Sequence, residues 1–235
     1  MLELKNIRIA HRGIFDNKVI PENSILAFKK AKRLNIPIEL DVRLTKDNKV
    51  IVFHDNNLKR MCGIDEYVEN LTLNEIKKLK LLSTNEKIPT LEEVLELVNG
   101  RVLIDIEIKK TSDVKLICDN VVRKLEKYNG DILLKSFYPN TVRYLKKNSS
   151  YKIGLLITNF MHHRLYSYLI SSPLLLSYCK PDFLAVSKKI IKRKKFQKYR
   201  NRYPIFVWTL KNLDEFRNYL DYADSFLCNN LPYHY

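Results

Sequence analysis

The chain has 235 residues, with 42 Lys and Arg against 26 Asp and Glu, for a formal net charge of +16. That length admits one domain with a large core, and the absence of a Gly/Ser/Pro linker, a composition break or a repeat points to a single domain over residues 1–235. A membrane-spanning chain is not expected, because the most apolar stretch, Tyr166–Tyr178, is short and broken by serines and Pro173.

In chain order, Ile7–Ala10 reads as a buried strand that ends at His11-Arg12-Gly13. Ser24–Leu34 reads as a helix, with Ile25, Phe28 and Ala31 on one face and Ser24 as its cap. Pro37–Arg43 is a second strand, and Val50–Phe53 is its hairpin partner. Asp47-Asn48 marks the turn between them, since Asn tolerates left-handed backbone. Residues 55–89 are too many for a simple strand-to-helix connection and read as an insertion over the mouth of the fold. Thr90–Val98 opens with Thr90 and Glu93, the spacing of a capping box. Strands Val102–Ile108, Ile132–Ser136, Lys152–Ile157, Phe183–Val186, Ile205–Thr209 and Ser225–Cys228 then alternate with helical patterns. Those helices are Asp113–Tyr128, Asn140–Asn148, Arg164–Leu176, Ile190–Tyr199 and Leu213–Tyr222. This alternation predicts an α/β fold: a closed TIM-type (β/α)₈ barrel with a small insertion after the second strand unit.

The polar residues at the ends of these strands carry the chemistry. Glu39 and Asp41 are two apart on a strand and share a face. Inside a barrel, two such carboxylates would repel one another and be poorly solvated unless a cation joined them. A solvated turn or an ion pair is the alternative. Asp105, Glu107 and Lys109 likewise share one face, with isoleucines on the other. Here the alternative is an edge strand with a solvated charged face. If the carboxylates converge, all-oxygen ligation favours Mg²⁺ or Ca²⁺, with Mn²⁺ as a third choice. His11 and His54 each close a strand beside an acid or a base, an arrangement suited to proton transfer. His162, His163 and His234 lack that setting and read as surface residues.

These residues also match a known pattern. His11-Arg12-Gly13, Pro21-Glu22-Asn23-Ser24, Glu39-Leu40-Asp41-Val42, Thr45-Lys46-Asp47 and Val52-Phe53-His54-Asp55 resemble the glycerophosphodiester phosphodiesterase family. So do Ile88-Pro89-Thr90-Leu91, Ile106-Glu107-Ile108-Lys109, Ser136-Phe137 and Val207-Trp208-Thr209, in family order along nearly the whole chain. The resemblance implies a TIM-type barrel related to the phosphoinositide-cleaving barrels. It implies a divalent metal on Glu39, Asp41 and Glu107, acid–base chemistry by His11 and His54, and phosphate contacts from Arg12 and Lys109. Glu22 and Trp208 are further site candidates by the same comparison. The chain departs from the family at its end, where Asn229-Asn230-Leu231-Pro232 replaces the usual Thr-Asp-x-Pro.

The activity so implied is hydrolysis of glycerophosphodiesters to glycerol 3-phosphate and an alcohol. The alternatives are lysophospholipase D-type cleavage of lysophospholipids, and a non-catalytic barrel that binds anionic lipid or nucleic acid. No groove-reading motif supports specific nucleic-acid recognition. Nine of the fifteen residues from Lys188 to Arg202 are Lys or Arg, which reads equally as a solvated face or as a contact for an anionic membrane surface. Cys62, Cys118, Cys179 and Cys228 form no CxxC pair, and the first five residues lack the apolar core of a secretion signal. The expectation is a reduced, cytoplasmic protein, peripheral at the inner membrane surface if the basic segment binds lipid.

Overall fold

The apolar strand runs of the sequence close on themselves. The structure is a computed structural model and describes residues 3–158 and 172–229. Its strands are β1 (Arg8–Ala10), β2 (Ile38–Leu44), β3 (Val50–Val52), β4 (Ile104–Ile108), β5 (Ile132–Ser136), β6 (Lys152–Ile157), β7 (Phe183–Ser187), β8 (Ile205–Leu210) and β9 (Ser225–Cys228). All but β3 are parallel neighbours in one sheet, and pairing of β1 with both β9 and β2 closes the barrel. β3 runs antiparallel on β2, with Val42 opposite Val52. The hairpin turn holds Asn48 at φ 59°, the left-handed geometry that Asn tolerates.

Alternation sorts side chains into two layers. One set of residues (Ile9, Leu133, Leu156, Phe183, Phe206 and Leu227 among them) fills the barrel interior. The other set packs outward against the helices in a larger apolar layer. Gly154 belongs to the inner layer, where a Cβ would meet the Phe183 ring at 2.3 Å; glycine there makes room for the aromatic side chain. The first helix, Ile25–Arg33, is capped by Ser24 Oγ accepting from the Ala27 N–H at 3.1 Å. Leu91–Val98 begins with the Thr90/Glu93 capping box, and such caps are each worth about 1 kcal/mol.

Three expected helices differ in extent. Ile190–Tyr199 narrows to Lys194–Tyr199, because the chain first turns to bury Ile190 and Ile191, whose N–H groups bond the Ser187 carbonyl. Leu213–Tyr222 is helical over Leu213–Tyr219 and tightens to a 3₁₀ turn over Leu220–Tyr222. Of Arg164–Leu176, Ser172 caps and residues 173–176 open the helix Pro173–Cys179; residues 164–171 lie outside the described residues, as do His162, His163, His234 and Asn230-Leu231-Pro232. The insertion has a small core of its own, including Phe53, Leu58, Met61 and Ile76, built on the outside of β3. Among the described residues, no helix is long and apolar enough to cross a membrane, and the four cysteines are free.

Candidate active site

The carboxylates gather because of strand register. Across β2 and β4, Glu39 pairs with Asp105 and Asp41 with Glu107; across β4 and β5, Glu107 pairs with Lys135. Register partners point to the same face, so four acids and one lysine enter the barrel interior together. Glu39, Asp41 and Glu107 are buried, and one oxygen from each lies within 4.8 Å of the others. Lys109, just past the end of β4, places Nζ 2.6 Å from Glu107 and 3.2 Å from Asp41.

Burial raises the Glu107 carboxyl above its usual range, and Asp41 and Glu39 add to the effect against the pull of Lys109. Burial acts on Asp41 in the same sense, yet Lys109, His54 and Arg12 outweigh it and hold Asp41 well below the ordinary range. Burial alone would lower Lys109, but Asp41 and Glu107 hold it up. Hard oxygen donors, dry surroundings and a carboxyl short of positive charge fit a divalent cation. Glu39, Asp41 and Glu107 are the residues that would hold it.

The loop after β1 supplies the next group of residues. Arg12 and Gly13 take positive φ (57° and 79°), and a Cβ on Gly13 would meet Ala27 Cβ at 2.9 Å. This turn aims the Arg12 backbone N–H at Glu39 Oε2, 3.0 Å away. The Arg12 side chain donates to Glu22 at 2.7 Å, and its Nε stands 3.4 Å from Asp41 Oδ2 without hydrogen-bond geometry. Glu22 therefore faces Arg12 and Arg60, and the carboxylate cluster leaves it out. Asn23 donates to Asp41 Oδ2 at 2.9 Å, which gives the Pro21-Glu22-Asn23-Ser24 segment three jobs: pairing Arg12, buttressing Asp41 and capping a helix.

The two histidines have different partners. His11 Nδ1 meets Asn229 Oδ1 at 2.8 Å, a neutral amide. Burial depresses the His11 pKa, outweighing the opposing pull of Glu39. His54 Nδ1 meets the Asp55 carboxylate at 2.6 Å. Asp55 is itself held by Arg60 Nε at 2.6 Å, and Arg60 continues to Glu22. Arg43 grips the His54 carbonyl through Nε and Nη2 at 3.0 and 2.8 Å, and the Phe53 N–H bonds the Asp41 carbonyl, so both sides of His54 are pinned. Burial thus holds the His11 imidazole toward its neutral form, while His54 is hydrogen-bonded to a carboxylate.

These groups line one cavity of about 530 Å³ at the C-terminal ends of the strands. Its charged and ionisable lining comprises His11, Arg12, Glu39, Arg43, His54, Glu107, Lys109, Lys110, Lys135 and Lys189, with Tyr138 beside them. The opposite wall is apolar, with Phe137, Leu156, Trp208 and Leu227. Trp208 is anchored by Nε1 donating to the Ala185 carbonyl at 2.9 Å and packs edge-on against Phe137, ring centres 5.5 Å apart. No residue of 55–89 lines the cavity; from the insertion, Arg60 reaches the site through Glu22 and Asp55.

Sequence reasoning passed over Lys135, Arg43, Asn23 and Asn229. Inward parity from the Glu39–Asp41 register would have found Arg43, whereas Lys135 is hidden in an otherwise apolar strand.

A closed parallel barrel with carboxylates, imidazoles and cations at the C-terminal strand ends has the architecture of a TIM-barrel enzyme. Sequence comparison narrows the class. The profile of the "Glycerophosphoryl diester phosphodiesterase family" matches residues 11–225. A glycerophosphodiester phosphodiesterase of Caldanaerobacter subterraneus is 40% identical over 167 residues, covering 65% of this chain and 67% of that protein. The crystal structure of the Thermotoga maritima glycerophosphodiester phosphodiesterase superposes with a TM-score of 0.76 at 29% identity, over 94% of this chain and 93% of the other. An Oleispira antarctica phosphodiesterase, solved with its product sn-glycerol-3-phosphate, shares the fold with a TM-score of 0.82 at 21% identity, over 95% and 93% of the two chains. The chain belongs to the glycerophosphodiester phosphodiesterase family, a family of hydrolytic enzymes.

Proposed function

We propose that the protein hydrolyses glycerophosphodiesters to glycerol 3-phosphate and an alcohol, using one divalent cation held by Glu39, Asp41 and Glu107. The observation that carries this reading is the convergence of that carboxylate cluster with two differently partnered imidazoles in one cavity. When bound, the cation supplies Lewis-acid stabilisation of the phosphate oxygens.

The protein's own residues do the rest. Arg12 and Lys109 face the phosphate as its charge grows. With Nδ1 committed to Asn229, His11 has Nε2 free to take a proton, and its depressed pKa keeps it neutral for that task. The proton comes from the substrate's 2-hydroxyl, whose oxygen forms a new bond to phosphorus. The bond from phosphorus to the leaving oxygen breaks, and His54, with Asp55 behind it, gives that oxygen its proton. Water then opens the resulting cyclic phosphodiester with the proton roles reversed, yielding glycerol 3-phosphate. The product bound to the Oleispira phosphodiesterase supports this substrate class.

The test incubates the protein with glycerophosphocholine, glycerophosphoethanolamine and lysophosphatidylcholine in Mg²⁺, Ca²⁺ or Mn²⁺. Glycerol 3-phosphate from the first two is the expected product. Lysophosphatidic acid alone would replace this reading with lysophospholipase D-type activity, and no product from any substrate would overturn it.

A further inference from the structure

A second cavity, of about 710 Å³, adjoins the catalytic one, and the proposed mechanism makes no use of it. Arg43 and Lys110 line both. The remaining walls come from the turn after β2, from the insertion and from the loop that follows β4.

The proposed proton donor stands where the two cavities meet. Arg43 lies two positions beyond Asp41 on β2, and its Nε and Nη2 donate to the His54 carbonyl at 3.0 and 2.8 Å. Asn56, two residues past His54, lines the second cavity. An alcohol that leaves phosphorus with a proton from His54 therefore has the second cavity beside it. Arg43 is placed to hold that end of the substrate. Among the described residues no carboxylate lies within 4 Å of its guanidinium, and Nη1 has no hydrogen-bond partner. Arg12 and Lys109, by contrast, already face two carboxylates each.

The lining decides which alcohols suit this space. Three cations (Arg43, Lys46 and Lys110) stand against two carboxylates (Glu69 and Asp113), so a cationic alcohol gains nothing from the overall charge. Asp113 is already engaged as a helix cap, accepting from the Leu116 N–H at 2.9 Å. Tyr67 is the one aromatic side chain in the lining, and one ring does not make the cage that recognises a quaternary ammonium. Asn48, Asn56 and Ser112 instead present amide and hydroxyl groups that have no partner among the described residues. Such groups both donate and accept, as the hydroxyls of a polyol do.

We propose that the second cavity receives the alcohol half of the substrate and favours a polyhydroxy alcohol, such as glycerol or inositol, over choline, with Arg43 gripping the phosphate end of that half at the junction. This inference rests on the proposed hydrolysis and on the part given there to His54. The choline diester is the slower substrate and is not excluded.

The experiment measures kcat and KM for the methyl, glycerol, inositol and choline diesters of glycerol 3-phosphate. The methyl diester is the reference, because its alcohol is too small to fill the second cavity. No turnover of any diester overturns the hydrolytic reading itself, and this one with it. With turnover established, kcat/KM for the glycerol and inositol diesters should exceed that for the choline diester by about tenfold, the worth of one well-made hydrogen bond. Equal values, or a lead for choline, overturn the alcohol class. Ser112→Trp, at an exposed loop position, fills the cavity and should cut kcat/KM for the inositol diester by about tenfold while leaving the methyl diester unaffected. Asn56→Trp makes the same test from the insertion should Ser112→Trp fail to fold. Equal change in both diesters, or change in neither, in a folded variant overturns the site. Arg43→Gln should raise KM by about tenfold for every diester, read apart from kcat because Arg43 also fixes His54. An unchanged KM overturns the grip assigned to Arg43.

Discussion

Two parts of this molecule concentrate charge and treat it in opposite ways. Around the barrel site, Arg12, Glu22, Asp41, Asp55, Lys109 and Lys135 each lie within 3.4 Å of an opposite charge; Glu22, Asp41 and Lys135 are buried and the other three half-buried. In the segment from Lys188 to Arg202, Lys188 pairs with Glu215 and Arg200 with Asp224, while Lys189, Lys192, Arg193 and Lys194 are exposed. Among the described residues no carboxylate pairs with those four; Lys192 lies instead over the rings of Tyr219 and Tyr222, 5.0 and 4.8 Å from their centres. Burial is what separates the two regions. A charge removed from water must be matched, so the buried carboxylates of the barrel stand against lysine and arginine. A charge left in water needs no partner, so the basic segment specifies no ligand through its balance alone.

The largest expected effect comes from removing a proton-transfer group in the matched region. His11→Ala and His54→Ala should each lower kcat by about 10²–10⁴-fold with little loss of melting temperature, since both side chains face the cavity. Near wild-type turnover in a folded variant would make that histidine a bystander. A lesser effect is expected one layer further out. Asp55→Asn removes the carboxylate behind His54 and should cost about tenfold in kcat, equivalent to ~1.4 kcal/mol of barrier. Unchanged kcat in that variant would show that the Asp55 contact does not orient His54 for proton transfer.

Acid sharpens the contrast in stability. Burial would raise the Glu22 carboxyl, but hydrogen bonds and charge from Arg60 and Arg12 hold it down to about 2 in the fold, against 4.5 in an unstructured chain. A depressed carboxyl contributes stability that is fully present above pH 4.5 and lost as pH falls from there toward 2. Thermal melts between pH 6 and pH 2.5 should therefore show Glu22→Gln converging on the wild type in acid. Parallel curves would mean that the Arg12–Glu22–Arg60 network contributes nothing measurable.

The smallest effect on chemistry belongs to the unmatched region. Changing Lys192, Arg193 and Lys194 together to Gln should leave turnover of a small soluble glycerophosphodiester unaltered. The same change should reduce co-sedimentation with anionic phospholipid vesicles at low salt, where exposed cations act over about 10–30 Å. Equal sedimentation of both proteins would reduce the segment to a solvated face. Loss of turnover would tie it to the site, which Lys189 already borders.

Much of the matched region is legible in the sequence because strand parity is. The spacings Glu39–Asp41 and Asp105–Glu107–Lys109 place side chains on one face before any register is known. Caps at Ser24 and Thr90 and the Asn48 turn are local chemistry and read directly. The partners are harder to read because they come from far along the chain. Asn229 meets His11 across 218 positions, and Arg60 meets Glu22 across 38. Lys135 lies in the apolar run Ile132–Ser136, and closure of the barrel is what brings it to Glu39. The turn from Lys188 to Arg193 misleads for a related reason: Ile190 and Ile191 have helix-like spacing but are buried by successive turns.

In the proposed reaction the Glu39–Asp41–Glu107 cluster holds a divalent cation that hydrolysis requires. That requirement is tested most directly by exhaustive chelation, followed by assay of glycerol 3-phosphate release from glycerophosphocholine before and after adding back Mg²⁺, Ca²⁺ or Mn²⁺. Turnover should be lost on chelation and recovered with at least one of these ions, with no recovery in Asp41→Asn. Full turnover by the chelated wild type would contradict it.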